Sequence, residues 1–222
     1  MSLVQAPAVG IGSSPLLSLL SLLERGPQEY HQALELQRLI HGEVANGLRP
    51  STLLLMEHQP VFTAGKRTEL ADRPFSSTPV VDVDRGGKIT WHGPGQLVGY
   101  PILRLRNPQE LVGYVREIEQ GIIDLLADFG VRGARVDGRS GVWIEGQRKI
   151  AAIGIRVAQG VTMHGFAINA NCSLSPFEEI VPCGIRDATV TSISKELSRD
   201  VSVMDLLPLI EAKVVPILEG LT

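Results

Sequence analysis

Cys183 stands between Pro182 and Gly184 in the run Val181-Pro182-Cys183-Gly184-Ile185. Proline stiffens the backbone on one side of the thiol, and glycine on the other lacks the Cβ that would screen the sulfur. Two readings are open for such a cysteine: a small buried hydrophobe in a turn, or a nucleophile in an accessible, electropositive setting. Lys149 heads the run Lys149-Ile150-Ala151-Ala152-Ile153-Gly154, whose other members are apolar or glycine. A lysine there is either a cap at an exposed strand end or a charge held near a site; by itself, the exposed end is expected. A third cluster interleaves Arg85, Lys88 and His92 with Gly86, Gly87, Gly93 and Gly95. Strands that give up side chains in this way make room for a bulge or for a ligand. Gly65-Lys66-Arg67 lacks the rest of a phosphate-loop pattern and is set aside.

These residues need elements to hold them. Tyr30, Leu34, Gln37, Ile40 and Val44 recur at helical spacing after Pro27, and Asn46-Gly47 closes that helix. Thr52-Leu53-Leu54-Leu55-Met56 reads as a buried strand, and Val61-Phe62-Thr63-Ala64 resumes after a break at Pro60. Val80-Val81-Asp82-Val83 and Ile89-Thr90-Trp91-His92 suggest a hairpin about the glycine-rich turn. Gly93-Pro94-Gly95 interrupts it, and Leu97 onward continues the same sheet. Asn107-Pro108 has the form of a helix N-cap and first residue, and Leu111, Val115, Ile118, Ile122, Leu125 and Phe129 follow at helical spacing. Val142-Trp143-Ile144, the run from Lys149, and Val161-Thr162-Met163-His164-Gly165-Phe166-Ala167-Ile168-Asn169 form a meander. Ser202 and Asp205 have capping-box spacing ahead of a last helix disturbed by Pro208 and Pro216. Strands grouped in hairpins with helices at the beginning, middle and end predict an α+β fold with mostly antiparallel pairing.

Length and composition narrow the function classes. The chain has 222 residues, 44% of them hydrophobic, which suits one sizeable core rather than two. Residues 1–14 are expected to be a loose extension, with one domain over 15–222. The formal net charge of -3 carries no global basic field, so nucleic acid is not an expected partner. The Leu/Ser run near the N-terminus is too short to span a bilayer and no basic residue precedes it, so a cytoplasmic protein without a membrane partner is expected. Five scattered histidines lack metal-ligand spacing, and no metal or other cofactor is expected.

Four segments in order, the 85–96 run (Arg85-Gly86-Gly87-Lys88-Ile89-Thr90-Trp91-His92-Gly93-Pro94-Gly95-Gln96), the run from Lys149 to Gly154, His164-Gly165-Phe166-Ala167-Ile168-Asn169, and the run around Cys183, resemble the octanoyltransferases of lipoate assembly, the lipoate–protein ligase B family. The resemblance covers roughly residues 25–200; Trp91 replaces a common tyrosine. It implies one α+β domain of the biotin/lipoate ligase kind, with a larger and a smaller sheet. It implies transfer of an octanoyl group from octanoyl-acyl carrier protein to a lysine of the lipoyl domains of 2-oxoacid dehydrogenases or of the glycine cleavage H protein. Cys183 would carry the acyl group as a thioester and Lys149 would lower that thiol's pKa. Arg85, Gly86, Gly87, Lys88, Ile89, Thr90, Trp91 and His92 would line the acyl site, with Ala152, Ile153 and Gly154, and with Gly165, Phe166 and Ala167.

The chemistry is consistent with those roles. Thioester exchange is nearly isoenergetic, so the difficulty lies in forming a thiolate, whose ordinary pKa is about 8.5. The acceptor lysine must lose a proton, which Lys149 could take after acylation, with help from His92 or His164. Burial of the acyl chain contributes at most roughly 5–6 kcal/mol at about 0.8 per methylene, so a blocked slot end, rather than affinity, is expected to set chain length. An acidic carrier protein calls for a local basic patch, with Arg67, Arg73, Arg85, Lys88, Arg139 and Arg148 as candidates.

Overall fold

The computed structural model describes residues 10–13, 16–180 and 189–222. The run around Cys183 lies outside the described residues. The strands are β1 (Gly10–Ser13), β2 (Leu17–Ser21), β3 (Ser51–Met56), β4 (Val61–Ala64), β5 (Val80–Asp82), β6 (Thr90–His92) and β7 (Gln96–Ile102). They continue with β8 (Gly133–Val136), β9 (Arg139–Ile144), β10 (Arg148–Ala158), β11 (Val161–Asn169) and β12 (Thr189–Val190). The helices are α1 (Tyr30–Ala45), α2 (Leu111–Asp128), α3 (Ile193–Leu197), α4 (Val203–Leu209) and α5 (Val215–Gly220).

The larger sheet has the order β1-β2-β3-β7-β11-β10-β9-β8, with β12 added beside β10, and the smaller one has the order β5-β4-β6. Pairing is antiparallel except at β2/β3, β4/β5 and β10/β12. Strand alternation explains why β3 is apolar throughout: Leu53 and Leu55 face the cluster containing Ile118, Ile122 and Leu125 of α2, while Leu54 and Met56 face Ala33, Ile40 and Val44 of α1. The larger sheet is thus packed on both faces. Gly10–Ser13 runs as a strand beside β2, within the segment read from sequence as an extension. No helix among the described residues is long and apolar enough to cross a membrane.

Three local expectations change. β5 and β6 do not form a hairpin; each pairs with β4, on opposite sides. The glycine-rich loop between them is drawn onto β10 instead, where the Gly86 N–H donates to Ile155 O at 3.1 Å. β6 and β7 belong to different sheets, and the chain crosses between them at the turn containing Gly95, which has φ +82°. Helix α2 starts at Leu111 rather than at Pro108, because residues 107–110 form a separate turn in which Glu110 N donates to Asn107 O at 3.1 Å. At the C-terminus the capping box of Ser202 and Asp205 is formed, and the helix interrupted by Pro208 continues through a π turn, Ile210–Val214, into α5.

Candidate active site

Arg85 organises the glycine-rich loop. Its side chain is buried, and the guanidinium donates to Thr63 O at 2.7 Å, Thr63 Oγ1 at 3.0 Å, Gly86 O at 3.0 Å and Lys88 O at 2.9 Å. One cation thereby fastens the loop to β4, and its donors are met by oxygen acceptors as burial requires. The loop lies close over β10. A Cβ on Gly154 would stand 2.8 Å from Arg85 Cδ, so any side chain there displaces the arginine.

Lys149 is not at an exposed strand end; its relative exposure is 6%. Strict alternation along β10 would send Lys149 to the face opposite Ala152 and Gly154. The register shows why it does not: Lys149 pairs with Trp143, Ala151 pairs with Val142, and Ile150 is the extra residue of a β-bulge. Ile150 and Ala151 both enter the core, while Lys149, Ala152 and Gly154 share a cavity face. The Lys149 Nζ stands 4.6 Å from the centroid of the buried Trp143 ring, and Arg139 Cζ stands 5.6 Å from it. Gly141, at φ +106°, leaves room for the lysine stem; a Cβ there would collide with Ala151 O and stand 3.4 Å from Lys149 Cε. The Gly141 amide is fixed from behind by Glu119 of α2, a fully buried carboxylate that accepts it at 2.8 Å and also pairs with Arg116 and Arg135.

Burial lowers the pKa of three histidines, His58, His92 and His164. His92 Nδ1 donates to Gln96 Oε1 at 2.7 Å, and Gln96 Nε2 donates to Asn169 Oδ1 at 2.9 Å. The other nitrogen, Nε2, therefore accepts from the Thr63 hydroxyl at 3.3 Å. Burial, reinforced by nearby His58, pushes His92 down to about 3. His58 donates from Nδ1 to Gln28 O at 3.2 Å and accepts from the Tyr100 hydroxyl at 2.6 Å, and burial pushes it down to about 4. His164 lies at φ +58° and bonds Asp84 Oδ1 through Nε2 at 2.7 Å; burial lowers its pKa despite that carboxylate. Both histidines named as possible proton carriers are thus occupied by partners within the chain.

The cavity that results encloses about 90 Å³ and is partly open to solvent. Arg85, Gly86, Gly87, Lys88, Ile89, Thr90 and His92 line it from the loop side. Ala152, Ile153 and Gly154 line it from β10, Gly165, Phe166 and Ala167 from β11, and Lys149 stands at its margin. Trp91 does not line it. Its ring meets Phe177 edge-on at 5.5 Å and packs with Phe62, Ile89 and Ile180, because alternation turns it away from Thr90 and His92. Sequence reading missed Tyr30, Val98 and Tyr100, which also line the cavity. Val98 and Tyr100 are two apart on one strand, a visible signal, but only the register across β11 shows what they face.

Cys183 lies outside the described residues. Of the described residues on either side of it, Ile180 packs with Trp91 on the side of β6 away from the cavity, and β12 pairs Val190 with Lys149. Cys172 is 5% exposed, and burial pushes its thiol up to about 12. Among the six basic residues named for a patch, Arg73 pairs with Asp82, Lys88 with Asp72 and Glu69, and Arg148 with Glu145 and Glu196, while Arg85 is committed to the loop. Arg67 and Arg139 have no carboxylate partner among the described residues and flank a cleft that adjoins the cavity at Lys149.

Residues 29–214 match the family model of the lipoyl protein ligase A/B catalytic domain. The chain is 58% identical over 195 residues to an octanoyltransferase of Leifsonia xyli subsp. xyli, covering 86% of this chain and 87% of that protein. It is 53% identical over 207 residues to an octanoyltransferase of Mycobacterium tuberculosis, covering 92% and 89%. Among solved structures, P. falciparum LipL1 in complex with lipoate is similar at a TM-score of 0.72 and 16% identity, over 93% of this chain and 63%, less than two thirds, of that one. Lipoate-protein ligase A bound with ATP is similar at a TM-score of 0.62 and 13% identity, over 91% and 82%. At such identities the two structures share the fold.

Proposed function

We propose, from the premise that the chain belongs to the lipoyl protein ligase A/B catalytic-domain family and is an acyltransferase that moves octanoyl groups in lipoate assembly, that its donor is octanoyl-acyl carrier protein and its acyl carrier is Cys183. The acceptors are lysines of lipoyl domains of 2-oxoacid dehydrogenases and of the glycine cleavage H protein. The setting is the cytoplasm, where reducing conditions keep Cys183 a thiol. The observation that carries this reading is Lys149: a buried cation, aimed into the cavity by a bulge, on a strand paired with the chain that follows Cys183.

In the first half-reaction the Cys183 thiolate attacks the thioester carbon of the donor. A C–S bond to Cys183 forms, the C–S bond to the carrier arm breaks, and the departing thiolate takes a proton from Lys149. In the second, Lys149 receives a proton from the acceptor ammonium, the freed amine attacks the acyl-cysteine, and the amide forms as Cys183 leaves as thiolate. One proton is released to solvent over the cycle. Arg67 and Arg139 supply the cationic contact for an acidic carrier protein.

Incubation with octanoyl-acyl carrier protein, without ATP or acceptor, should add one octanoyl mass to the intact protein. The adduct should map to Cys183 and vanish in Cys183→Ser. An adduct on Cys172, or transfer that demands ATP and free octanoate, would overturn the reading. Trp143 should matter through its ring face: Trp143→Leu lowers kcat about tenfold, whereas Trp143→Phe keeps most of it, since a desolvated cation–π contact is worth roughly 1–2 kcal/mol. Equal losses in the two variants would show that the ring serves packing only.

A further inference from the structure

The cavity floor is graded in side-chain size across the larger sheet. On β10 it presents Ala152 and Gly154, and on β11 Ala167 and Gly165. The registers Ala152↔Ala167 and Gly154↔Gly165 place these small residues opposite one another. On the next strand, β7, the row ends in larger residues: Ala167 pairs with Val98, and Tyr100 lies two residues further along β7. Behind that end the sheet is solid. Met56 pairs with Val98 and Leu54 with Tyr100, and all four are at most 4% exposed. Tyr100 cannot swing aside freely, because its hydroxyl is bonded to the buried His58. The Tyr30 ring, 5.2 Å from that of His58, adds to the same wall.

We propose that Val98 and Tyr100 form the end stop that sets acyl-chain length, and that the alkyl chain crosses the strands from β10 over β11 to β7. This rests on the reading above, in which Lys149 on β10 marks the reacting end. The lengths agree. Two strand spacings come to about 10 Å, and eight carbons joined by bonds of about 1.5 Å at tetrahedral angles extend about 9 Å. Ala152 and Ala167 leave depth above the backbone that Val98 withdraws at the third strand; Arg85 Cδ covers Gly154, and Gly99 O and Pro101 fill the space beside Gly165. Discrimination by affinity would be about fourfold per methylene; a packed wall rejects longer chains more sharply, because overpacking strains a core that has no slack.

The test is a chain-length profile of kcat/KM with carrier protein charged with six-, eight-, ten- and twelve-carbon acyl groups and a lipoyl-domain acceptor. The parent should peak at eight carbons. Val98→Ala removes two methyl groups and should raise the ten-to-eight ratio at least tenfold. Val98→Leu adds one methylene and should raise the six-to-eight ratio by a similar factor; should it not fold, Val98→Ile adds the same group. Leu97→Val alters the opposite face of the same strand and should keep the parent profile. Unmoved ratios in the Val98 variants, or an equal shift in Leu97→Val, overturn the end stop while leaving octanoyl transfer standing. Absence of transfer by the parent from any charged carrier overturns the parent reading, and this proposal with it.

Discussion

Lys149→Met is expected to lower kcat/KM for octanoyl transfer about a thousandfold, within the range for removing a positioned proton-transfer group, while the protein still folds. Methionine reproduces the length and volume of the lysine stem, so it fits beside Gly141 and over Trp143. What disappears is the ammonium group. The loss of rate should have two separable parts. Without the ammonium the Cys183 thiol returns toward its ordinary value near 8.5, so the acid limb of the pH–rate profile moves up and alkylation of Cys183 at neutral pH slows. The departing carrier thiolate also loses its proton source. Lys149→Arg separates the two: a guanidinium keeps the positive charge but does not release a proton near neutral pH. It should restore alkylation of Cys183 without restoring turnover. A Lys149→Met protein with more than a tenth of the parent rate would remove Lys149 from the chemistry.

Acidification from pH 7.5 to 5.5 is expected to lower unfolding free energy by about 3 kcal/mol, from two histidines at about 1.4 kcal/mol per proton-equivalent and pH unit. His58 and His92 are buried and neutral, with pKa values lowered by burial to about 4 and about 3. In the unfolded chain both titrate near 6.5. Between the folded and unfolded values the unfolded state binds more protons, so stability rises with pH in that window. The contribution is complete above the unfolded value and is lost as pH falls toward the folded ones. The two rings are 5.8 Å apart, so adding a first proton makes a second harder to accept. Denaturant unfolding at three pH values reads the slope directly. His92→Gln should remove about one proton-equivalent of the pH dependence whatever its own baseline stability, and the double change at His58 and His92 about two, leaving the part carried by His164, whose pKa burial also lowers. An undiminished slope in the double variant would place the acid sensitivity elsewhere.

Much of the local structure was legible in the residues. Tyr30, Leu34, Ile40 and Val44 lie on one buried stripe of α1, and Ser202 and Asp205 form the capping box their spacing announces. Such features depend on contacts a few residues apart. Three of the four segments lie among the described residues and contribute residues from Arg85–His92, Lys149–Gly154 and His164–Ala167 to the lining of one cavity, while Trp91 faces away from it and Tyr30, Val98 and Tyr100 join it from elsewhere. Pairing between distant segments was not legible. Val80 and Trp91 sit close enough in sequence to suggest a hairpin, yet β4 lies between their strands, because Arg85 pins the intervening loop to Thr63 and the Gly86 amide bonds Ile155.

The sequence by itself determined the α+β class and the family, and it named the residues proposed to carry chemistry, since these follow from residue type, short-range periodicity and motif order. Only the tertiary structure decided where those residues point. One extra residue, Ile150, turns Lys149 onto the face of Ala152 and Gly154, and a strand register aligns two rows of small side chains against Val98 and Tyr100. Side-chain direction in a sheet reverses with every residue, so it depends on bulges and registers that are settled by strands far away in the chain.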